Sequence, residues 1–201
     1  MSLTIYGAYM LRKRGIVWEQ KKLNLLPLKA LNVDDFFWNK YTGLVTKEII
    51  PYQWKALNDE VADAEPSYCI DNFKVAAGLK EGTFHGWVFQ DTDLAKWLEA
   101  VAYSLSYEPN EVLEKLADDA IDLVGKAQQE NGYINTHFSI LHPGKQYCNL
   151  KEGHELYTTG HFIEAAIAYY EVTGKDKFLN IMKKNADLIC EVFHTEKYKN
   201  A

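Results

Sequence analysis

Cysteine is scarce in this chain: Cys69, Cys148 and Cys190 are the only three in 201 residues, and no two form a C-x-x-C pair. That argues against a disulfide framework and against a self-contained zinc site, and it fits a reducing cytosol. A basic block is also missing. Lys and Arg number 22 against 28 Asp and Glu, for a net charge of −6, and phosphate contacts need clustered cations, so no nucleic-acid partner is expected. Long apolar runs are absent. Ala165–Tyr170 falls far short of the roughly 20 residues that cross a bilayer, so no membrane partner is expected. At the N-terminus the apolar stretch Leu3–Leu11 precedes Arg12-Lys13-Arg14, the reverse of a secretory signal, and a cytoplasmic location is the expectation. Finally, G-x-G-x-x-G, P-loop and G-x-S-x-G runs do not occur, which leaves nucleotide cofactors and serine hydrolysis without support.

What is present is the balance of an ordinary globule, 47% hydrophobic and 25% charged, at a length suited to one domain. Aromatic residues reach 13%, with five Trp and thirteen Tyr. These residues join apolar area to a polar handle, as sugar sites require, although most fill cores.

Helical periodicity dominates from Asp34 onward. Asn32 or Asp34 is placed to cap a helix with Phe37, Tyr41, Leu44 and Val45 on one face, which Pro51 then ends or bends. Asp71–Ala77 stops at Gly78, a residue suited to a left-handed exit. Asp93–Ser106 repeats Leu94, Trp97, Leu98, Val101 and Leu105 at helical spacing. A helix from about Asn110 to Gln129 turns Val112, Leu113, Leu116, Ala120, Val124 and Ala127 inward and closes at Asn131-Gly132. Gly153–Thr173 and Lys175–Phe193 follow, the latter with Phe178, Leu179, Met182, Ala186 and Ile189 inward.

The last four helices are two copies of one hairpin. An offset of 65 sets Trp97 on Phe162, Glu99 on Glu164, Leu113 on Phe178 and Asp122 on Asp187, and another step back lands at Asn32. Hairpins that cannot bury their faces alone must stack. The expected fold is all-α: αα-hairpin repeats in an open array or an incomplete (α/α)6 toroid, since six such units need roughly 390 residues. The expected division is an N-terminal irregular segment over 1–31, a partial barrel over 32–193 and a divergent tail over 194–201. The links Lys80–Thr92 and Tyr133–Gly153 form the rim where chemistry sits, and 133–138 alternates as a short strand or an extended loop would.

Several rim residues have two readings. His154 and His161 stand seven apart, on nearly one helical face with Tyr157 between them. His154-Glu155 lacks the second histidine of H-E-x-x-H, because Thr158 stands there. A two-histidine metal site lacks a third ligand at compatible spacing, so no metal ligand is assigned. The structural alternative makes His154 a helix cap and His161 a hydrogen-bonded core residue. Asp91, Asp93 and Glu99 bracket a helix entry, where carboxylates serve either glycosidic acid/base work or capping. Glu99 and Glu164 share one repeat position, which points to a shared structural task such as holding backbone. Asp118-Asp119-Asp122 reads as a solvated face.

Three runs carry a family resemblance: Pro51-Tyr52-Gln53-Trp54-Lys55-Ala56-Leu57-Asn58, Trp97-Leu98-Glu99-Ala100-Val101-Ala102-Tyr103-Ser104-Leu105, and His154-Glu155-Leu156-Tyr157 leading to Gly160-His161 and Ile163-Glu164-Ala165-Ala166. Together they resemble glycoside hydrolase family 127, the β-L-arabinofuranosidases, from about Asn32 to Phe193. The resemblance implies the start of an (α/α)6 catalytic barrel, a retaining mechanism and an arabinose-containing oligosaccharide or glycan as substrate. It further implies a zinc-held cysteine nucleophile and a glutamate acid/base in a later part of the barrel, so this chain itself is expected to hold no catalytic residue and no cofactor. By the same resemblance His154 contacts furanose hydroxyls and Asp91, Asp93 and Trp97 match the family's rim run; these four, together with His137 and Tyr157, are the candidate substrate-binding residues. The competing readings are a non-catalytic helical-repeat module that binds glycan or protein, and another toroid enzyme such as a sugar epimerase.

Overall fold

A computed structural model of the chain describes residues 26–194; the Leu3–Arg14 stretch and the tail beyond His194 lie outside the described residues. All regular structure among these residues is helical, and no described helix is long and apolar enough to cross a membrane.

After a 3-10 turn at Leu28–Ala30, α1 (Phe36–Leu44) begins. Its cap is Asp35, whose Oδ1 accepts from the Trp38 N–H at 2.7 Å; Asn32 and Asp34 are not the caps, and Asp34 instead accepts from Asn39. Pro51 does not end the helical path. A π turn over Val45–Ile49 leads directly into α2 (Ile50–Leu57). Pro51 has no N–H and its ring crowds the carbonyl four residues back, and the wider turn just before it takes up both defects.

α3 (Cys69–Ala76) ends before Gly78 at φ 68°. Then come α4 (Asp91–Tyr107), α5 (Glu111–Ala127), a short α6 (Thr136–Leu141), α7 (Glu155–Thr173) and α8 (Lys177–Val192). The 65-residue repeat is real: α4 and α7 start at 91 and 155, α5 and α8 at 111 and 177. The further step back to Asn32 fails, since that unit is one long broken helix starting at Phe36 rather than a hairpin. The 133–138 alternation is not a strand. Asn135 caps α6 by accepting from the Phe138 N–H at 3.0 Å, and a strand there has no neighbour to pair with among the described residues.

α4 and α7 make the most extensive helix–helix contact. Both bury a broad arc. Leu94, Leu98 and Val101 from α4 meet Phe162, Ala165 and Tyr169 from α7 in one core, and the small Ala95, Ala102 and Ala166 leave room for close approach. Phe162 sits edge-on to Phe73 of α3 at 6.1 Å and to Phe178 of α8 at 6.2 Å, so one ring ties three helices. Core assignments in α4 hold, but Val112 in α5 is 74% exposed, and Leu116, Leu179, Ala186 and Ile189 are only partly covered. Asp118 and Asp122 are not merely solvated: Asp118 accepts from the Tyr169 hydroxyl at 2.8 Å and Lys175 at 2.6 Å, while Asp122 pairs with Lys177. These pairs join the two repeat copies. The architecture is an incomplete (α/α) toroid, with the face Phe36, Phe37, Trp38, Tyr41 and Leu44 exposed on α1.

Candidate functional site

The links leading into α4 and α7 bring the rim residues together at the N-terminal ends of those two helices. The first link is clamped by Asn72 of α3, which donates to the His85 carbonyl at 2.8 Å and accepts from its N–H at 3.0 Å. The second is clamped twice. Asp91, the first residue of α4, accepts from the Thr136 N–H at 2.6 Å and hydroxyl at 2.5 Å. Glu155, the first residue of α7, accepts from the Tyr133 hydroxyl and from the Tyr147 N–H at 2.9 Å. Both carboxylates are 1% exposed. Burial pushes Asp91 up to about 6 despite the two Thr136 donors, and raises Glu155 against its own two donors. Asp91 therefore faces the link, not solvent.

A cleft of about 570 Å³ opens beside the first clamp, lined by Gln53, Trp87, Gln90, Asp93, Lys96 and Trp97 among others. Gln90 donates to Asp93 at 2.8 Å, and burial raises the Asp93 carboxyl. Asp93 stands in the first turn of α4 but does not cap it. Trp97 is 4% exposed; its indole N–H donates to the Ile50 carbonyl at 3.0 Å and its ring lies 4.4 Å from Trp54, so it is a wall of the cleft that also holds α2 to α4.

From this cleft an aromatic chain runs to α7. The rings of Trp87 and Phe89 are parallel with centroids 6.1 Å apart, Phe89 meets His154 at 5.5 Å, His154 meets Tyr157 at 6.0 Å, and Tyr157 meets His161 at 4.6 Å. Lys96 closes the loop by donating to the Tyr157 hydroxyl at 3.2 Å. His154 precedes α7 in the left-handed region at φ 53°, so the two-turn register with His161 does not apply. It makes no side-chain cap. Its Nδ1 lies 2.8 Å from the Glu152 carbonyl; a carbonyl only accepts, so Nδ1 carries a proton, and in the neutral ring Nε2 is then the acceptor. His137 stands apart from this group, packed on Phe84 and His142, with a pKa lowered by burial and by His142. Its Nδ1, the Tyr147 hydroxyl and the Asn135 amide nitrogen are buried atoms of the second link without hydrogen-bond partners among the described residues.

Glu99 and Glu164 do not hold backbone. Glu99 accepts from the Tyr103 hydroxyl at 2.9 Å, and Glu164 lies 3.4 Å from His161 Nδ1. Gln53 and Lys96, which line the cleft, carry no motif of their own. The 51–58 run contains Gln53, but only folding shows its amide at the cleft.

Thiolate coordination finds no footing among the described residues. Cys69 is buried, donates its thiol to the Gln90 carbonyl at 3.4 Å, and has its pKa pushed well up by burial. Cys148 and Cys190 are exposed and free, and the one group of potential metal ligands contains no sulfur. A zinc-held thiolate therefore does not fit these residues.

The helical rim thus gathers amides, a carboxylate and aromatic faces around one cleft. The chain belongs to glycoside hydrolase family 127: the family's β-L-arabinofuranosidase catalytic domain matches residues 30–201. It is 38% identical, over 81% of its length, to the non-reducing end β-L-arabinofuranosidase of Bifidobacterium longum subsp. longum. It is 57% identical to the crystal structure of a GH127 β-L-arabinofuranosidase from Geobacillus stearothermophilus T6, with a TM-score of 0.79 over 80% of this chain. A second GH127 β-arabinofuranosidase structure matches at 32% identity and a TM-score of 0.72 over 83% of this chain. The chain spans about a quarter of each relative's length, 27%, 25% and 26% respectively.

Proposed function

We propose that this chain is a portion of a cytoplasmic, retaining glycosidase domain acting on β-L-arabinofuranosides, that it supplies sugar-contacting rim residues, and that it hydrolyses nothing alone. The observation that carries this reading is the convergence of the cleft and the aromatic chain at the entries to α4 and α7. His154 Nε2 accepts from a furanose hydroxyl, Asp93 accepts from a second, Gln53 and Lys96 donate, and the exposed Trp87 face covers ring C–H groups. Asp91 and Glu155 act through the links they hold and are positioning residues. The bond-breaking groups belong to a part of the catalytic domain outside these residues. Three free cysteines accord with the cytoplasmic assignment.

The test has two arms. The chain alone, with or without zinc, releases no sugar from a chromogenic β-L-arabinofuranoside; turnover overturns the assignment of the bond-breaking groups elsewhere. Residues 30–193 grafted into the Geobacillus relative give an active chimera, and His154→Ala then lowers kcat/KM roughly 5- to 150-fold, equivalent to about 1–3 kcal/mol of transition-state stabilisation, the cost of losing a well-oriented hydrogen bond. Unchanged kinetics remove His154 from the site. The second reading, a non-catalytic binding module, is favoured by the aromatic face of α1 and predicts that the chimera is inactive.

A further inference from the structure

We propose that Glu99, His161 and Glu164 form a binding site for a divalent transition-metal ion that clips α4 to α7. The three side chains bring ligand atoms within 4.8 Å of one another, from two helices held rigidly by the shared core. His161 and Glu164 stand three apart on α7, the spacing by which one helix face delivers a histidine and a carboxylate to one ion, and Glu99 comes from the neighbouring helix.

Two observations point to a cation. The first is the His161 Nδ1 atom, which is shielded from solvent and makes no well-aligned hydrogen bond, its nearest acidic neighbour being Glu164 Oε2 at 3.4 Å. Two tetrahedral ligands at metal distances of about 2.1 Å stand about 3.4 Å apart. The second is uncompensated charge. Among the described residues neither Glu99 nor Glu164 has a Lys or Arg ion-pair partner; the exposed Glu164 faces only His161, which compensates it only when protonated, and nearby Lys96 is engaged with Tyr157. Two carboxylates beside an imidazole nitrogen make an acceptor-rich set that a cation neutralises. Imidazole with carboxylate selects zinc or a similar first-row ion over calcium and magnesium, which take oxygen alone. The surroundings are built for orientation. The Tyr103 hydroxyl holds one Glu99 oxygen at 2.9 Å and leaves the other free, and the edge-on Tyr157 ring at 4.6 Å fixes the imidazole; outer partners of this kind tune ligand geometry. The donors include none of the cysteines, and the inference stands independently of the proposed glycosidase role.

The experiment is a titration of the full chain, stripped by chelator, with Zn²⁺ followed by calorimetry and with Co²⁺ followed by visible absorption. One ion binds per chain and raises Tm. His161→Ala and Glu164→Gln each weaken binding at least about tenfold, and Tyr103→Phe, which leaves the three ligands intact, weakens it about tenfold. Replacing all three cysteines by serine changes nothing. Circular dichroism checks the fold of each variant, and the partly exposed Glu99→Gln decides the matter if His161→Ala fails to fold. No binding at millimolar Zn²⁺, binding that survives the ligand substitutions, or binding lost with the cysteines overturns the site.

Discussion

Asp91 concentrates the residue-scale chemistry of the rim. Its carboxyl is buried, accepts two hydrogen bonds from Thr136, and still titrates near 6, because removing a charge from water outweighs two donors. A carboxyl raised in the folded state favours folding most when protonated. Its contribution is fully present below the unfolded value near 4 and is lost as pH rises through about 6. Measured by urea denaturation against Asp91→Asn, the chain accordingly loses up to about 3 kcal/mol relative to the variant between pH 4 and pH 7. A difference that stays flat with pH shows that Asp91 titrates normally. Asp93, two residues on, is less buried and lines the cleft. Both aspartates were legible as rim candidates. Their separation into a brace and a cleft residue was not, because Thr136 lies 45 residues away in sequence.

At the scale of elements, the loop between α5 and α6 has the least tolerance. Gly132 takes φ 97°, and a Cβ there meets the Lys184 carbonyl oxygen of α8 at 2.5 Å. Its own carbonyl accepts from Gln128 and Asn185, each at 2.9 Å. Gly132→Ala is therefore strained twice, in its backbone and in its contact, and destabilises the fold by about 1–3 kcal/mol, measured as a shifted urea midpoint. A midpoint within experimental error of the parent contradicts this tight approach. Asn131-Gly132 was readable as a turn from composition alone, whereas buried Asn185 on α8 was not. Its reason for being inside is the carbonyl of Gly132 and the Thr159 hydroxyl, at 3.1 Å. The π turn before Pro51 was hidden for a similar reason: proline announces a defect, and neighbouring contacts decide whether the helix stops or widens.

On the scale of the whole molecule, two hairpin copies and one broken helix span about a quarter of the length of the relatives they match. Phe36 is 94% exposed, with Phe37, Trp38, Tyr41 and Leu44 beside it, a contiguous apolar face of the kind that drives association. Sedimentation velocity on the chain alone shows concentration-dependent association, and Phe37→Ser combined with Trp38→Ser reduces it without loss of helicity. Association unchanged in that variant places the contact elsewhere.

Local pattern was enough to determine the long helices, the 65-residue recurrence of the last two hairpins and the family, because a buried stripe every 3.6 residues and motif runs are properties of neighbouring positions. Tertiary structure alone decided that Asp91 and Glu155 are internal braces and that Glu99 meets His161. Each outcome depends on a partner more than 20 residues distant, and burial energy is set by what folds around a group rather than by the residues beside it in the chain.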